Sequence, residues 1–139
     1  MARKSLYSSL ITRRTLTIAA RTNGTVNGTG VDVTDPAGGS DSFTSAMFVV
    51  FTGTITDGTH TFTCQESDDN STFTAVAAGE LQGTSPVVAA ADDDAVYAVG
   101  YMGSKRYLRL SVVSAGTTTG GIFGGLVVLG DPGSKPVQR

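Results

Sequence analysis

Short runs in which polar and apolar residues alternate recur along almost the whole chain, separated by clusters of Gly, Asn, Asp and Ser. The segments RTLTIAAR (14–21), HTFTCQE (60–66) and YLRLSVVS (107–114) each alternate with a period of two residues, as half-buried strands do. The sequence has no helical periodicity longer than two turns, apart from a weak trace at residues 4–12. About eight to ten short strands at this spacing predict an all-β fold, a single antiparallel β-sandwich or barrel-like domain.

The alternation also predicts which side chains share a face of each strand. These sets are Leu16, Ile18 and Ala20 in the first segment, His60, Phe62 and Cys64 in the second, and Leu108, Leu110 and Val112 in the third. His60 begins its strand and is expected at the rim, whereas Cys64 is expected to be a small buried hydrophobe. By contrast, SAMFVVFTGTI (45–55) is β-branched and aromatic on both faces, which predicts a central strand between two apolar layers.

A polar stretch, SDDNS (67–71), separates two of these runs. Asp and Asn bond their own backbone in tight loops and tolerate the left-handed conformation, so we predict a hairpin loop here. The stretch lacks the Gly at position 6 and the closing Glu at position 12 of an EF-hand loop. The acidic cluster ADDDA (91–95) is expected either to solvate a loop or to meet a basic partner, with calcium binding as the minor alternative.

The length of 139 residues is typical of a single domain, which can bury roughly two-thirds of its unfolded surface. We predict an extended N-terminal arm over residues 1–13, a β-domain over 14–130 and a short C-terminal tail over 131–139. The only cysteine is Cys64, so no internal disulfide can form. This favours synthesis in a reducing cytoplasm.

The N-terminus resembles an export signal only superficially. The apolar run after Arg14 is interrupted by Thr15 and Thr17 and stopped by Arg21, so it provides no apolar signal core of about 7 to 15 residues. The most apolar segment, GIFGGLVVLG (121–130), is shorter than the ~18 residues of a membrane helix. The sequence predicts a soluble protein with no membrane partner.

Charge is divided into blocks that the net charge of -2 conceals. Residues 1–21 carry +5, residues 22–104 carry -11 without a single Lys or Arg, and residues 105–139 carry +4. A basic arm is compatible with nucleic-acid binding. Docking on an acidic protein surface, on this chain or on a neighbour, is an equal alternative, and the dispersed charges and the acidic middle lead us to predict no nucleic-acid partner.

The residue types that catalysis needs do not come together in the sequence. The only histidine, His60, and Cys64 lie four residues apart on one strand, which separates their Cα atoms by about 13 Å at ~3.3 Å per residue. This distance excludes a Cys–His dyad. The glycine-rich segments GTGVD (28–32) and GGIFGG (120–125) do not open a helix after a strand, so neither is a phosphate loop. We therefore expect a protein that is not an enzyme and holds neither metal nor cofactor.

Tyr107 and Arg109 are predicted on the outward face of their strand, together with Ser111. Aromatic and Arg residues on an exposed sheet face are typical of protein interfaces. The chain contains no Trp, which makes a sugar-stacking platform less favoured than a protein contact. An ordinary solvated face is the alternative.

Residues 56–137 resemble a family of small proteins found among the virion head genes of tailed bacteriophages and prophages. The resemblance lies in QESDD (65–69), the YMGSKRYLR turn and strand (101–109), the TGG that opens the last strand (119–121) and the basic, Pro-containing tail. The same hairpin and strand are also similar to discoidin-like sugar-binding sandwiches, which are usually larger. The resemblance names no catalytic residues.

The phage resemblance implies a capsid decoration or cement protein, made in the host cytoplasm and located on the capsid exterior. Its expected partners are the major capsid protein and further copies of itself, for example as a trimer. The alternative is a tail or fibre-base module that binds a host receptor or glycan. From the residues we predict contacts to partners through Arg3, Lys4, Leu6, Tyr7, Leu10, Ile11, Arg13, Arg14, Tyr107 and Arg109.

Overall fold

The computed structural model describes residues 5–34 and 42–133, and they form two antiparallel β-sheets packed face to face. The predicted all-β sandwich is therefore confirmed. The strands are β1 (Ile11–Arg21), β2 (Gly24–Asn27), β3 (Val31–Asp32), β4 (Phe43–Ile55), β5 (Thr59–Ser67), β6 (Thr74–Ala75), β7 (Leu81–Gln82), β8 (Val87–Val88), β9 (Val96–Tyr101), β10 (Tyr107–Ala115) and β11 (Gly121–Pro132). Single 3₁₀ turns, Ala78–Glu80 and Ala90–Asp92, precede β7 and β9. None of the helical segments described is long and apolar enough to cross a membrane.

One sheet has five strands in the order β1-β11-β4-β9-β7. The other has six, with the order β2-β10-β5-β6, while β3 pairs with β10 and β8 with β5. The core lies between them, and its principal side chains are Phe48, Val50, Val99, Phe123, Val127 and Leu129 from the five-stranded sheet and Phe62, Cys64, Leu108, Leu110 and Val112 from the six-stranded sheet. The predicted central position of segment 45–55 and the predicted inward faces of β5 and β10 are confirmed.

The two sheets pack closely at Gly125, where a methyl group would overlap the side chain of Leu110. Strand β1 contributes a second link between them. Thr15 lies buried at an irregularity of β1, donates its hydroxyl to the Thr29 carbonyl at 2.8 Å and accepts the Leu110 N–H at 3.1 Å. This edge strand therefore bonds to both layers of the sandwich.

The irregular course of β1 overturns its predicted faces. Its register against β11 shifts on both sides of Leu16, so Thr15 and Leu16 are both buried while Ile18 is 55% exposed and Ala20 is exposed. The prediction that Leu16, Ile18 and Ala20 share one face was wrong. A β-bulge adds a residue to one strand and thereby reverses the orientation of the residues after it.

Ile11 was predicted to be an exposed residue of the arm, and this was wrong. It begins β1, pairs with Leu129 and is only 2% exposed, so it belongs to the core. Of the predicted arm, only residues 5–10 precede the first strand within the described chain. At the other end, β11 extends to Pro132.

The rim position expected for His60 was also wrong, because its side chain is fully buried. Its ring packs against Phe123 at a centroid distance of 4.8 Å. Nδ1 lies 2.7 Å from the Ser114 hydroxyl and Nε2 lies 3.2 Å from the Asp57 carbonyl oxygen. Both ring nitrogens thus have hydrogen-bond partners, which removes the main penalty for burying a polar ring.

The loop between β5 and β6 is the predicted hairpin connection. The Ser67 hydroxyl donates to Asp69 Oδ1, which also accepts the N–H groups of Ser71 and Thr72. Asn70 adopts a left-handed conformation with φ of 59°. These local bonds are the Asx-type turn chemistry that such residues favour.

Candidate interaction surfaces

The arm residues that the structure describes form a tight turn before β1. The carbonyl of Leu6 accepts the N–H groups of Ser9 at 3.0 Å and Leu10 at 2.9 Å. This turn holds Leu6 and Tyr7 in solvent, with 71% and 74% of their surfaces exposed. Together with Leu10 and the first residues of β1 they border a shallow depression of about 450 Å³. Adjacent large apolar side chains held in water are typical of contact points for another protein.

Of the four N-terminal basic residues predicted to contact a partner, the structure describes two. Arg3 and Lys4 lie outside the described residues. Arg13 donates through Nη1 to the Thr12 carbonyl at 2.9 Å. Arg14 is exposed, pairs with Leu126 of β11 and borders a second depression, of about 310 Å³, beside Phe51. The two depressions share their residues 12 and 13, so the arm leads directly onto the outer side of the five-stranded sheet.

That outer side is apolar across its three central strands, and we refer to it as the apolar face. It consists of outward side chains of β4, β9 and β11, namely Met47, Val49, Phe51, Val96, Ala98, Ile122, Leu126 and Val128, with glycines at positions 53, 100 and 124 and the polar Ser45 at one end. Their exposure ranges from half-buried to 72% at Val96. The apolar layer predicted on this side of β4 is not supplied by any described part of the chain.

Tyr107 and Arg109 lie on the outer side of the other sheet, so they are not brought together with the arm. Arg109 donates through Nε to Gln65 Oε1 at 2.7 Å, and its guanidinium lies 4.0 Å from the centre of the Phe73 ring. Burial lowers the pKa of Arg109. The Tyr107 ring faces the Arg106 guanidinium at 5.2 Å. Both predicted contact residues are therefore engaged within the chain.

A polar cluster at one end of the sandwich was not found by sequence reasoning. Tyr101 donates its hydroxyl to Oε2 of the buried Glu66 at 2.5 Å and accepts the Lys105 N–H at 3.0 Å. Burial and the bond to Glu66 raise the pKa of Tyr101. The cluster joins β9 to β5 and borders a groove of about 310 Å³ that also contacts Arg106. Nothing in the sequence around Glu66, near the end of β5, indicates that its hydrogen-bond partner Tyr101 lies 35 residues away.

Neither the buried Ser114–His60 pair nor any other described group forms an open constellation of metal ligands. Within residues 5–34 and 42–133, no three His, Cys, Asp or Glu side chains come together as a metal ion would require. Ser114 is 5% exposed and His60 is enclosed, so their bond links β5 to β10 inside the sandwich.

The described residues define a small antiparallel β-sandwich. No protein-family model and no curated protein matches the sequence. Among solved structures, the fold is similar to that of the PBSX exported protein XepA, with a TM-score of 0.62 and 21% identity. The similarity covers 100% of this chain and 43% of that protein, so this chain spans less than half of its length. At this identity the likeness establishes the fold.

Proposed function

We propose that this chain is a structural protein of a tailed-phage particle that attaches to the outside of the head and stabilises the capsid lattice. The observation that carries the proposal is the arm, which holds Leu6 and Tyr7 in solvent at the edge of the sandwich. The sequence resemblance to phage head proteins and the fold shared with a phage PBSX protein support the phage setting. The proposed partner is the major capsid protein, and the role requires no catalysis, nucleic acid or membrane.

The mechanism would be thermodynamic linkage. A protein that binds only the assembled lattice stabilises that lattice by its binding free energy. Exposed ion pairs contribute only ~0 to 1 kcal/mol each and weaken as salt rises. The apolar residues of the arm would therefore provide lasting attachment, and the basic residues would mainly accelerate encounter with an acidic capsid surface.

The test measures occupancy on capsids that lack the protein, using purified full-length chain and a Leu6→Ser/Tyr7→Ser double variant. Val113→Ser is the matched control, because Val113 is an exposed apolar residue on the opposite sheet. We expect the double variant to retain its melting temperature and lose most of its occupancy, with the control unchanged. A truncation must remove residues 1–10 and no more, since Ile11 belongs to the core.

Two results would contradict the proposal. One is undiminished occupancy of the double variant, and the other is absence of the protein from purified heads. Copy number separates head decoration from other locations, because decoration requires hundreds of copies in each particle. A handful would instead indicate a tail component.

The second candidate is the tail or fibre-base module that binds a receptor or glycan. The groove at the end of the sandwich favours it, since Tyr101, Lys105 and Arg106 offer an aromatic ring and donors around one concavity. Pockets for small ligands typically combine such features. Binding of host cells or their surface glycans by the purified chain, abolished by Arg106→Ala, would support this role.

A further inference from the structure

The apolar face differs in composition from the solvated side of an antiparallel sheet. An antiparallel sheet with one side in water alternates apolar inward and polar outward residues. Along β4, however, the outward residues Met47, Val49 and Phe51 are as apolar as the inward residues Phe48 and Val50. Contiguous exposed apolar surface of this kind marks an interaction site.

The size of the apolar face suits the centre of a stable interface. From β11 to β9 it crosses two strand spacings, and from Ile122 to Val128 it extends over six residue steps. At ~4.8 Å and ~3.4 Å respectively, this gives a flat area of about 200 Å² before side chains are counted. A standard interface buries about 800 Å² per partner around an apolar centre and a polar rim.

Charges of opposite sign lie on opposite flanks of the apolar face. On one flank, Arg14 of β1 lies beside Leu126. On the other, Asp94 precedes β9 and donates its backbone N–H to the Gly53 carbonyl at 3.1 Å. Both side chains are exposed, and within the described chain neither has an ion-pair partner. Such a face is complementary in charge to a copy of itself.

The strand register places Phe51 near the midpoint between these charges. Arg14 lies in the row of Leu126 and Val49, Asp94 lies beside Gly53, and Phe51 occupies the row between the two. A two-fold axis near Phe51 would bring Arg14 of each copy onto Asp94 of the other. The largest side chain would then lie at the centre of the interface, where aromatic residues contribute most to binding.

We propose that the apolar face binds a second copy of this chain, sheet to sheet, about a two-fold axis near Phe51. The pair is independent of the proposed capsid attachment and leaves the exposed Leu6 and Tyr7 for another partner. It differs from the trimer considered from the sequence. The apolar composition, the area and the two flanking charges together support this pairing.

Sedimentation of the full chain without capsids tests the proposal. We expect a concentration-dependent dimer that Val96→Glu converts to monomer, whereas Val113→Glu on the opposite sheet leaves it intact. Val96 is 72% exposed, so its substitution leaves the core untouched. Circular dichroism and the melting temperature of each monomeric variant confirm that it is folded.

Charge reversal tests the geometry. Arg14→Asp and Asp94→Arg should each raise the dissociation constant about tenfold, because each places like charges together twice. The double variant should recover dimerisation, and a mixture of the two single variants should form the heterodimer in preference to either homodimer.

A wild-type chain that sediments as a monomer at every concentration up to its solubility limit would overturn the proposal. So would a dimer that survives Val96→Glu. A dimer that dissociates with Val96→Glu but shows no preference for the heterodimer would overturn the two-fold arrangement.

Discussion

The outer sides of the two sheets differ in chemical character. On the six-stranded sheet most outward residues are polar and several bond to one another, as Ser111 does to Asn27 at 2.7 Å and Arg109 to Gln65 at 2.7 Å. On the five-stranded sheet they form the apolar face. Both sheets bury one side in the core, so folding of the single chain does not explain the difference between their outer sides.

The contrast shows that chemical type alone does not identify a contact residue. Arg109 has the composition of an interface residue, yet its nitrogen and its flat face both have partners within the chain. Val49 and Phe51 have the composition of core residues, yet the described chain covers only one side of their strand. The surface that the described chain leaves uncovered is the apolar face.

The largest expected effect is at the inward side of the six-stranded sheet. Leu108→Ala should lower the free energy of unfolding by roughly 2 to 5 kcal/mol, because the fully buried side chain would leave a cavity between the sheets. The measurement is denaturant unfolding of the purified chain. Val113→Ala on the same strand is the control and should stay within about 0.5 kcal/mol. Equal effects at the two positions would mean that β10 has no distinct outer side.

The second-largest effect is expected at Tyr101, whose hydroxyl joins the two sheets at one end of the sandwich. Tyr101→Phe should lower the free energy of unfolding by about 1 to 3 kcal/mol, because it removes the hydroxyl that donates to the buried Glu66 carboxylate. Tyr107→Phe, which keeps its ring beside Arg106, is the control and should change stability little. A variant at 101 as stable as the wild type would show that water replaces the lost donor.

A smaller effect, at Asp57, should be present at neutral pH and fade in acid. The N–H groups of Gly120, Thr119 and Thr118 lower the pKa of the Asp57 carboxyl from its ordinary 3.8, which ties the β4–β5 turn to the β10–β11 turn. A lowered pKa in the folded state contributes stability above the ordinary value, and this contribution is lost as pH falls through the lowered pKa.

Melting curves of wild type and Asp57→Asn from neutral pH to below pH 3.8 check this expectation. The wild type should be more stable at neutral pH, and the gap between the two should shrink as the pH falls. Asp68→Asn, which removes a carboxylate bound by the exposed Lys105, is the control. A gap that stays constant with pH would indicate that the Asp57 carboxylate charge does not matter.

The comparison of the two sheets also explains how far the sequence could predict the fold. In β5 and β10 one side meets polar neighbours, so strict alternation identifies Phe62 and Leu108 as core residues. In β1 the bulges around Leu16 shift the parity, and no local pattern indicates that Ile11 is inward or Ile18 outward. The apolar composition of segment 45–55 predicted the second layer without revealing what covers it.

Burial of His60 depends on tertiary contacts that no short stretch of sequence contains. Ser114 is 54 residues away along the chain. Gly121 packs so near that a Cβ there would lie 3.3 Å from His60 Nε2. An isolated His at the start of a strand is therefore compatible with either a rim or a core position until the pairing of β5 with β10 is known.

The smallest expected change in stability is at Arg109. This residue tests most directly which of the two sheets binds a partner through its outer side. Arg109→Lys keeps the charge but loses the planar stack on Phe73 and the Nε bond to Gln65, which should cost about 0.5 to 1 kcal/mol of unfolding free energy. Thr63→Ser on the same outer side is the control. If Arg109 has only this internal role, Arg109→Lys should leave capsid occupancy unchanged while stability falls. Lower occupancy with unaltered stability would instead identify the polar sheet as a binding surface, as predicted from the sequence, and the apolar face would then have to be a second one.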